Sequence, residues 1–261
     1  LGALKANEYY KLPLSSFYKM FESPDFSKER IVDGIPPLSN EQMQHIWFYG
    51  GYPEPVIGNK SKGNIDININ QDFYQRWMDF YFETYIYRDI GKLFPKLNKT
   101  NYQRFIKMLG KLSGTILNQR NVAGALEVSA PTVKEYLKIA EGTYIWNNLP
   151  SFTNNILKST VKMPKGYLRD TGLLHYFLGI ENLDKLYFDP ISGQSFESFV
   201  IEEIIKGLEA SLISNWNVYY YRTRSGAEID LIIQGYFGLI PIEIKQGKMV
   251  KIKQVSLFLV N

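Results

Sequence analysis

Two short segments constrain this chain most. They are Glu228-Ile229-Asp230-Leu231-Ile232-Ile233 and Leu239-Ile240-Pro241-Ile242-Glu243-Ile244-Lys245, joined by the glycine-bearing stretch Gln234–Gly238. Both read as strands, and the joint reads as a turn, so the pair predicts a hairpin. Side chains alternate faces along a strand. Ile229, Leu231 and Ile233 therefore share one face and Glu228 and Asp230 the other; Ile240, Ile242 and Ile244 oppose Glu243 and Lys245. If Ile233 pairs with Ile240, Asp230 stands opposite Glu243, and two carboxylates so placed repel each other. They call for a cation, and Lys245 alone lies one pleat away. A Tyr-rich strand, Val218–Thr223, precedes the pair.

The segment Gln194–Glu209 reads as a helix. At 100° per residue, Phe196, Val200, Ile201, Ile204, Ile205 and Leu208 cover one face and Glu197 falls in its middle, while Glu202, Glu203, Lys206 and Glu209 take the opposite, solvent side. A carboxylate on an apolar face must be paired, hydrogen-bonded or bound to a metal. Two readings follow. Glu197 forms a salt bridge with a buried Arg or Lys, and the hairpin carries a surface Glu/Lys ladder. Alternatively, Asp230 and Glu243 hold Mg²⁺, an ion that takes one or two carboxylates plus waters and substrate phosphates. Glu197 then serves as a ligand or stands behind the ligands, and the Ile244 carbonyl contributes. Lys245 orients the attacking water or offsets phosphate charge. The ion would act as Lewis acid and water activator.

Composition narrows the chemistry. The 261 residues contain no cysteine and two histidines, His45 and His175, so thiolate zinc sites, disulfides and a histidine-based triad lack material. Any metal site must use carboxylates. No apolar run reaches membrane-spanning length and no signal peptide opens the chain, so a cytoplasmic protein without a membrane partner is expected. A net charge of +4 permits a nucleic-acid partner without demanding one. The 19 Tyr and 16 Phe serve core and strand packing, or base stacking.

Upstream, Pro13, Pro24, Pro36-Pro37 and Gly50-Gly51-Tyr52-Pro53 punctuate irregular and helical pieces, and Ile57–Asn70 reads as a polar loop. From Gln71 to about Ile90 the residues Phe73, Trp77, Phe80, Tyr81 and Thr84 suggest the buried face of a helix. The window Arg88–Arg120 carries Arg88, Lys92, Lys96, Lys99, Arg104, Lys107, Lys111 and Arg120 against one acid, Asp89. It is either a solvated helical face or a phosphate-contacting surface. Helices at Gln119–Val128 and after the Ser129 cap, then strands at Thr143–Asn147 and Lys165–Arg169, predict a winged helix. On its second helix, Lys134 and Lys138 alternate with Glu135 and Glu141, a cancelling set that favours packing or partner binding over base reading.

The set Glu197, Asp230, Glu243-Ile244-Lys245 resembles the PD-(D/E)XK nuclease fold. Gly50-Gly51-Tyr52-Pro53, Thr84-Tyr85-Ile86-Tyr87-Arg88-Asp89-Ile90, Tyr167-Leu168-Arg169-Asp170-Thr171-Gly172-Leu173-Leu174, Phe196-Glu197 and Gly226-Ala227-Glu228-Ile229-Asp230-Leu231 occur in that order. Together they resemble the C-terminal region of a prokaryotic AAA-type ATPase family. The resemblance implies an α+β chain: an ATPase-domain tail (1–60), a helical connector (61–112), a winged helix (113–170) and a C-terminally truncated nuclease-like α/β domain (171–261). Lys92, Lys111 and Lys248 follow glycines but complete no P-loop, so ATP belongs to an upstream domain. Arg88 would be a nucleotide-sensing arginine in the parent, or an ordinary partner of Asp89. The functions in view are a Mg²⁺-dependent nuclease-like site, a nucleic-acid-binding module, and a protein-interaction scaffold. Nucleic acid, the upstream ATPase domain and a second copy of the chain are the expected partners.

Overall fold

The computed structural model describes residues 3–15, 17–18, 21, 38–54, 71–153, 163–223 and 226–247. The expected loop over 57–70 and the apolar run 255–260 lie outside them.

Two helices, α1 (Ala6–Tyr9) and α2 (Asn40–Tyr49), open the described chain. Ser39 starts α2 with a capping box: its hydroxyl accepts the Gln42 N–H while Gln42 accepts the Ser39 N–H. Helix α3 (Gln71–Tyr81) runs into a π-helix (Phe82–Asp89) and a last turn, α4 (Ile90–Leu93). The expected face is wrong here. Tyr74, Met78, Phe82, Ile86 and Ile90 are buried, whereas Phe80 is 67% exposed. These buried residues recur every four positions. On a 3.6-residue helix a four-residue repeat drifts about 40° per step. The wider π turns reverse that drift and keep the stripe on one side.

Then come α5 (Lys99–Leu112), β1 (Thr115–Ile116), α6 (Gln119–Leu126), α7 (Ala130–Gly142), β2 (Trp146–Leu149) and β3 (Lys165–Leu168). The strands form an antiparallel sheet in the order β1-β3-β2. Asn118 caps α6 and Ser129 caps α7, with Pro131 in the first turn of α7. The strand expected at Thr143–Asn147 starts later, because Thr143 closes α7: its N–H and its hydroxyl both donate to the Ile139 carbonyl. One core runs from Tyr74 on α3 through α5, α6 and α7 to Leu174, so the expected connector and the segment after it pack as one body.

The remaining elements are α8 (Thr171–Leu178), α9 (Leu183–Phe188), α10 (Ser192–Glu209), β4 (Asn217–Arg222), β5 (Glu228–Gly235) and β6 (Gly238–Ile242). The second sheet is antiparallel, β4-β5-β6, with the expected Ile233↔Ile240 register. Leu231, Ile233 and Ile240 pack with Ile201, Ile205 and Leu208 of α10. The opposite side of α10 is solvated at Glu209, as expected, but not at Glu202 and Glu203. Glu202 is 3% exposed and accepts bonds from Asn147 Nδ2 and Arg169 Nε, and Glu203 accepts the Ala6 N–H. The helix is covered from both sides, which binds the two sheets and the N-terminal segment together.

The Gly50-Gly51 and Asp170-Thr171-Gly172 motifs meet at the junction of α2, α8 and α10. Asp170 caps α8, its Oδ1 accepting the Leu173 N–H and its Oδ2 the Gly51 N–H at 2.8 Å. Gly50 has φ +75°, and a Cβ there would sit 2.3 Å from Asp170 Oδ1; one on Gly172 would sit 2.1 Å from the Tyr49 carbonyl oxygen. His175 Nδ1 lies 2.8 Å from the Phe48 carbonyl, so that nitrogen carries the hydrogen. Nε2 then accepts from the Ser195 hydroxyl at 2.7 Å, and Ser195 Oγ accepts the Trp47 indole N–H. Burial holds the pKa of His175 down at about 4. No helix among the described residues is long and apolar enough to cross a membrane.

Candidate functional site

The hairpin register Leu231↔Ile242, continued one step, sets Asp230 against Glu243, as the sequence pattern requires. The ladder stops there. Asp230 is 7% exposed, and its Oδ2 accepts the Ile244 N–H at 2.7 Å, replacing a strand-to-strand bond. Glu243, Ile244 and Lys245 consequently lie just beyond β6 and not within a strand, a correction to the expected Leu239–Lys245 span. Burial raises the Asp230 pKa to about 6; the Ile244 N–H opposes the rise, and nearby Glu197 and Glu243 add to it.

All four sequence candidates, Glu197, Asp230, Glu243 and Lys245, border one cavity of about 520 Å³. Its other walls come from Thr115 and Lys165 of the first sheet, Gln194 of α10, and Arg222 and Glu228 of the second. The cavity is thus a cleft between the two sheets, floored by the start of α10. Glu197 is not isolated. Its Oε1 lies 2.7 Å from Lys165 Nζ and accepts the Tyr167 hydroxyl at 2.7 Å. Lys165 also pairs with Glu228 at 2.6 Å. Burial works against the charge on Lys165, but Glu197 and Glu228 prevail and hold its pKa above the ordinary lysine value. Burial and Glu197 likewise drive the Tyr167 pKa upward, so its proton stays on. Lys245 pairs with Glu243 at 2.5 Å and is half exposed at the rim.

The salt-bridge reading of Glu197 is therefore realised, with Lys165 as the partner that sequence reasoning missed. Its signal was present. In Lys165-Gly166-Tyr167 alternation puts Lys165 and Tyr167 on one face, while Gly166 lies so close to the Trp146 ring that a Cβ would be 2.1 Å from it. Among the described residues no three acidic or histidine side chains converge to hold an ion. The donor chemistry nonetheless suits Mg²⁺: Asp230 and Glu243 are hard oxygen donors facing each other across the hairpin end, and two carboxylates suffice where substrate supplies the remaining oxygens.

The basic candidates lie elsewhere. Arg88, Lys92, Lys96, Arg104, Lys107, Lys111, Arg120, Lys134 and Lys138 are all exposed and none borders the cleft. Arg88 pairs with Asp89 at 2.8 Å. Arg104, Lys107 and Lys111 form one stripe along the outer face of α5, with Lys107 also over the Phe82 ring. On α7, Lys134 and Lys138 stand exposed beside the equally exposed Glu135.

The family described as Domain of unknown function (DUF8612) matches residues 40–184, more than half of the chain. The chain belongs to the DUF8612 family. The matched span takes in the α2–α8 junction and the whole first sheet, so the glycine and Asp-Thr-Gly contacts lie inside the DUF8612 region. Residues 192–260 match a second Domain of unknown function (DUF4143), which covers α10 and the carboxylate hairpin. An uncharacterized protein of Mycobacterium tuberculosis and one of Mycobacterium bovis are each 30% identical over 200 residues, 77% of this chain. The chain spans less than half of those relatives, 42% of their length. No solved structure matches it.

Proposed function

We propose that this DUF8612 chain is the nucleic-acid-associated arm of a AAA-type ATPase. In this reading it is built from a winged helix and a PD-(D/E)XK-like unit that carries a Mg²⁺-dependent phosphodiesterase site. The meeting of Glu197, Asp230, Glu243 and Lys245 at one open cleft carries the reading, because residues spread over 49 positions reach one cavity. The winged-helix part is supported by the order helix, strand, helix, helix, strand, strand over α5 to β3 and by the β1-β3-β2 sheet. The ATPase context draws on the DUF4143 match, a domain often found C-terminal to AAA ATPase domains, and on the greater length of the relatives. The basic stripe on α5 supplies a surface for phosphates.

Asp230 and Glu243 would hold the ion, which supplies Lewis acidity and an activated water. Ile244 fixes the Asp230 carboxylate through its N–H. Lys245 holds positive charge at the rim, where an anionic backbone approaches. Lys165 and Tyr167 orient Glu197.

A second reading has its own observation. Glu197 is already satisfied by Lys165 and Tyr167, which suits a nuclease-like scaffold that binds nucleic acid or protein without cleaving it. Calorimetric titration of the chain with Mn²⁺ separates the two. Stoichiometric binding that Glu243→Ala abolishes is expected. Binding unchanged in Glu243→Ala, or none by any folded variant, overturns the catalytic reading in favour of the scaffold.

A further inference from the structure

Lys165 holds a position in the cleft that orienting Glu197 does not by itself explain. It comes from β3, the middle strand of the first sheet, while its carboxylate partners lie off that sheet, Glu197 on α10 at the floor and Glu228 on β5 of the opposite wall. Its side chain is 8% exposed. A desolvated ammonium is tolerated only with close, well-placed counter-charges, and here it has two, at 2.7 and 2.6 Å. The counter-charges have the same need in reverse. Glu197, Glu228, Asp230 and Glu243 border one cavity, and its cations besides Lys165 are taken up at the edges: Lys245 at Glu243, and Arg222 3.8 Å from Glu228. Among the described residues, Lys165 is the cation that reaches the interior.

We infer that Lys165 is the resident counter-ion of the carboxylate cleft, holding Glu197 and Glu228 together and yielding when a divalent cation enters. The inference rests on the carboxylate-site reading and adds a control to it. With the ammonium seated, Glu197 is turned to Lys165 and Tyr167, and no three carboxylates among the described residues converge. When the ammonium withdraws, Glu197 is released toward Asp230 and Glu243. The lock is held from outside the carboxylate unit, because β3 is hydrogen-bonded on both edges, to β1 and to β2.

The test measures Mn²⁺ affinity and melting temperature of the full chain, wild type against Lys165→Met, Lys165→Arg and Glu228→Gln. Lys165→Met is expected to bind Mn²⁺ more tightly than wild type, because it deletes the charge that competes for Glu197; loss of a merely orienting partner would instead weaken binding by about ten- to a hundredfold and would overturn the lock. Without metal it should melt lower, and saturating Mn²⁺ should raise its melting temperature by more than that of wild type. Lys165→Arg keeps the charge and should keep the wild-type affinity. Glu228→Gln loosens the lock without touching a proposed ligand and should tighten Mn²⁺ binding by a smaller factor. It also serves as the reporter if Lys165→Met does not fold. Equal affinity in wild type, Lys165→Met and Glu228→Gln overturns the lock and leaves the site standing. Absence of binding in every folded variant overturns both.

Discussion

Asp230 Oδ2 accepts the backbone N–H of Ile244 at 2.7 Å, so a side chain finishes the β5–β6 ladder that the backbone leaves at Ile242. The bond turns Glu243 and Lys245 out of the strand and ties a structural role to the carboxylate proposed as a ligand. Asp230→Asn keeps an acceptor oxygen and removes the charge, which makes it the substitution that separates the two roles.

That carboxyl ionises at about 6 in the folded chain, above its ordinary 3.8. The native state therefore holds its proton at pH values where the unfolded chain has lost it, and stability falls as pH rises from about 4 to about 6. Two pK units correspond to about 3 kcal/mol at most. Urea denaturation of wild type and Asp230→Asn across this window should show that decline in the wild type and its loss in the variant. Parallel profiles would contradict the burial of the charge.

His175 works in the opposite sense. Its folded pKa of about 4 lies below the ordinary 6.5, so its stabilising contribution is complete above pH 6.5 and is lost as pH falls toward 4. Protonation of Nε2 would set a donor against the Ser195 hydroxyl, already engaged with Trp47. His175→Gln should cost about 2 kcal/mol at neutral pH by unsatisfying this buried network, and less at pH 4. Chemical denaturation at both pH values reads the difference.

Gly50→Ala should lower the melting temperature by about 10 °C, from a loss of about 3 kcal/mol. It imposes a positive φ on alanine and drives its Cβ into the buried Asp170 carboxylate. Gly124→Ala is the control. It lies within α6 with nothing within 4 Å of the added carbon, and it should be neutral or stabilising by up to about 1 kcal/mol. Thermal melts followed by circular dichroism compare them directly.

If the α5 stripe binds phosphates, replacing Arg104, Lys107 and Lys111 by alanine should flatten the dependence of log K on log salt by about 2 to 3 units, at roughly 0.9 for each phosphate no longer neutralised. Fluorescence anisotropy with a labelled duplex across a salt series measures it. Wild-type slopes in the triple variant would remove α5 from the interface. The charges themselves are exposed and Lys107 loses its place over the Phe82 ring, so the fold should persist with a stability loss of about 1 kcal/mol or less.

Much of the α+β architecture was legible because it depends on local periodicity. The Ile233↔Ile240 register, the helix starts at Gln119 and after Ser129, and the facing of Asp230 and Glu243 all follow from alternation, capping and turn chemistry between near neighbours. The π-helix was not legible, since its stripe obeys a four-residue period that a 3.6-residue reading places on the wrong face. The solvated side assigned to Glu202 and Glu203 failed because their partners, Arg169, Asn147 and Ala6, come from distant segments.

The candidate site divides along the same line. The chain itself determined which carboxylates exist, that cysteine and histidine could not replace them, and that Glu197 had to be satisfied. Only the tertiary structure decided how: by a lysine 32 positions away, carried on a strand of the other sheet. Local pattern encodes which face a residue takes. Which neighbour neutralises a buried charge depends on how separate elements stack, and that is settled by the packing of the whole chain.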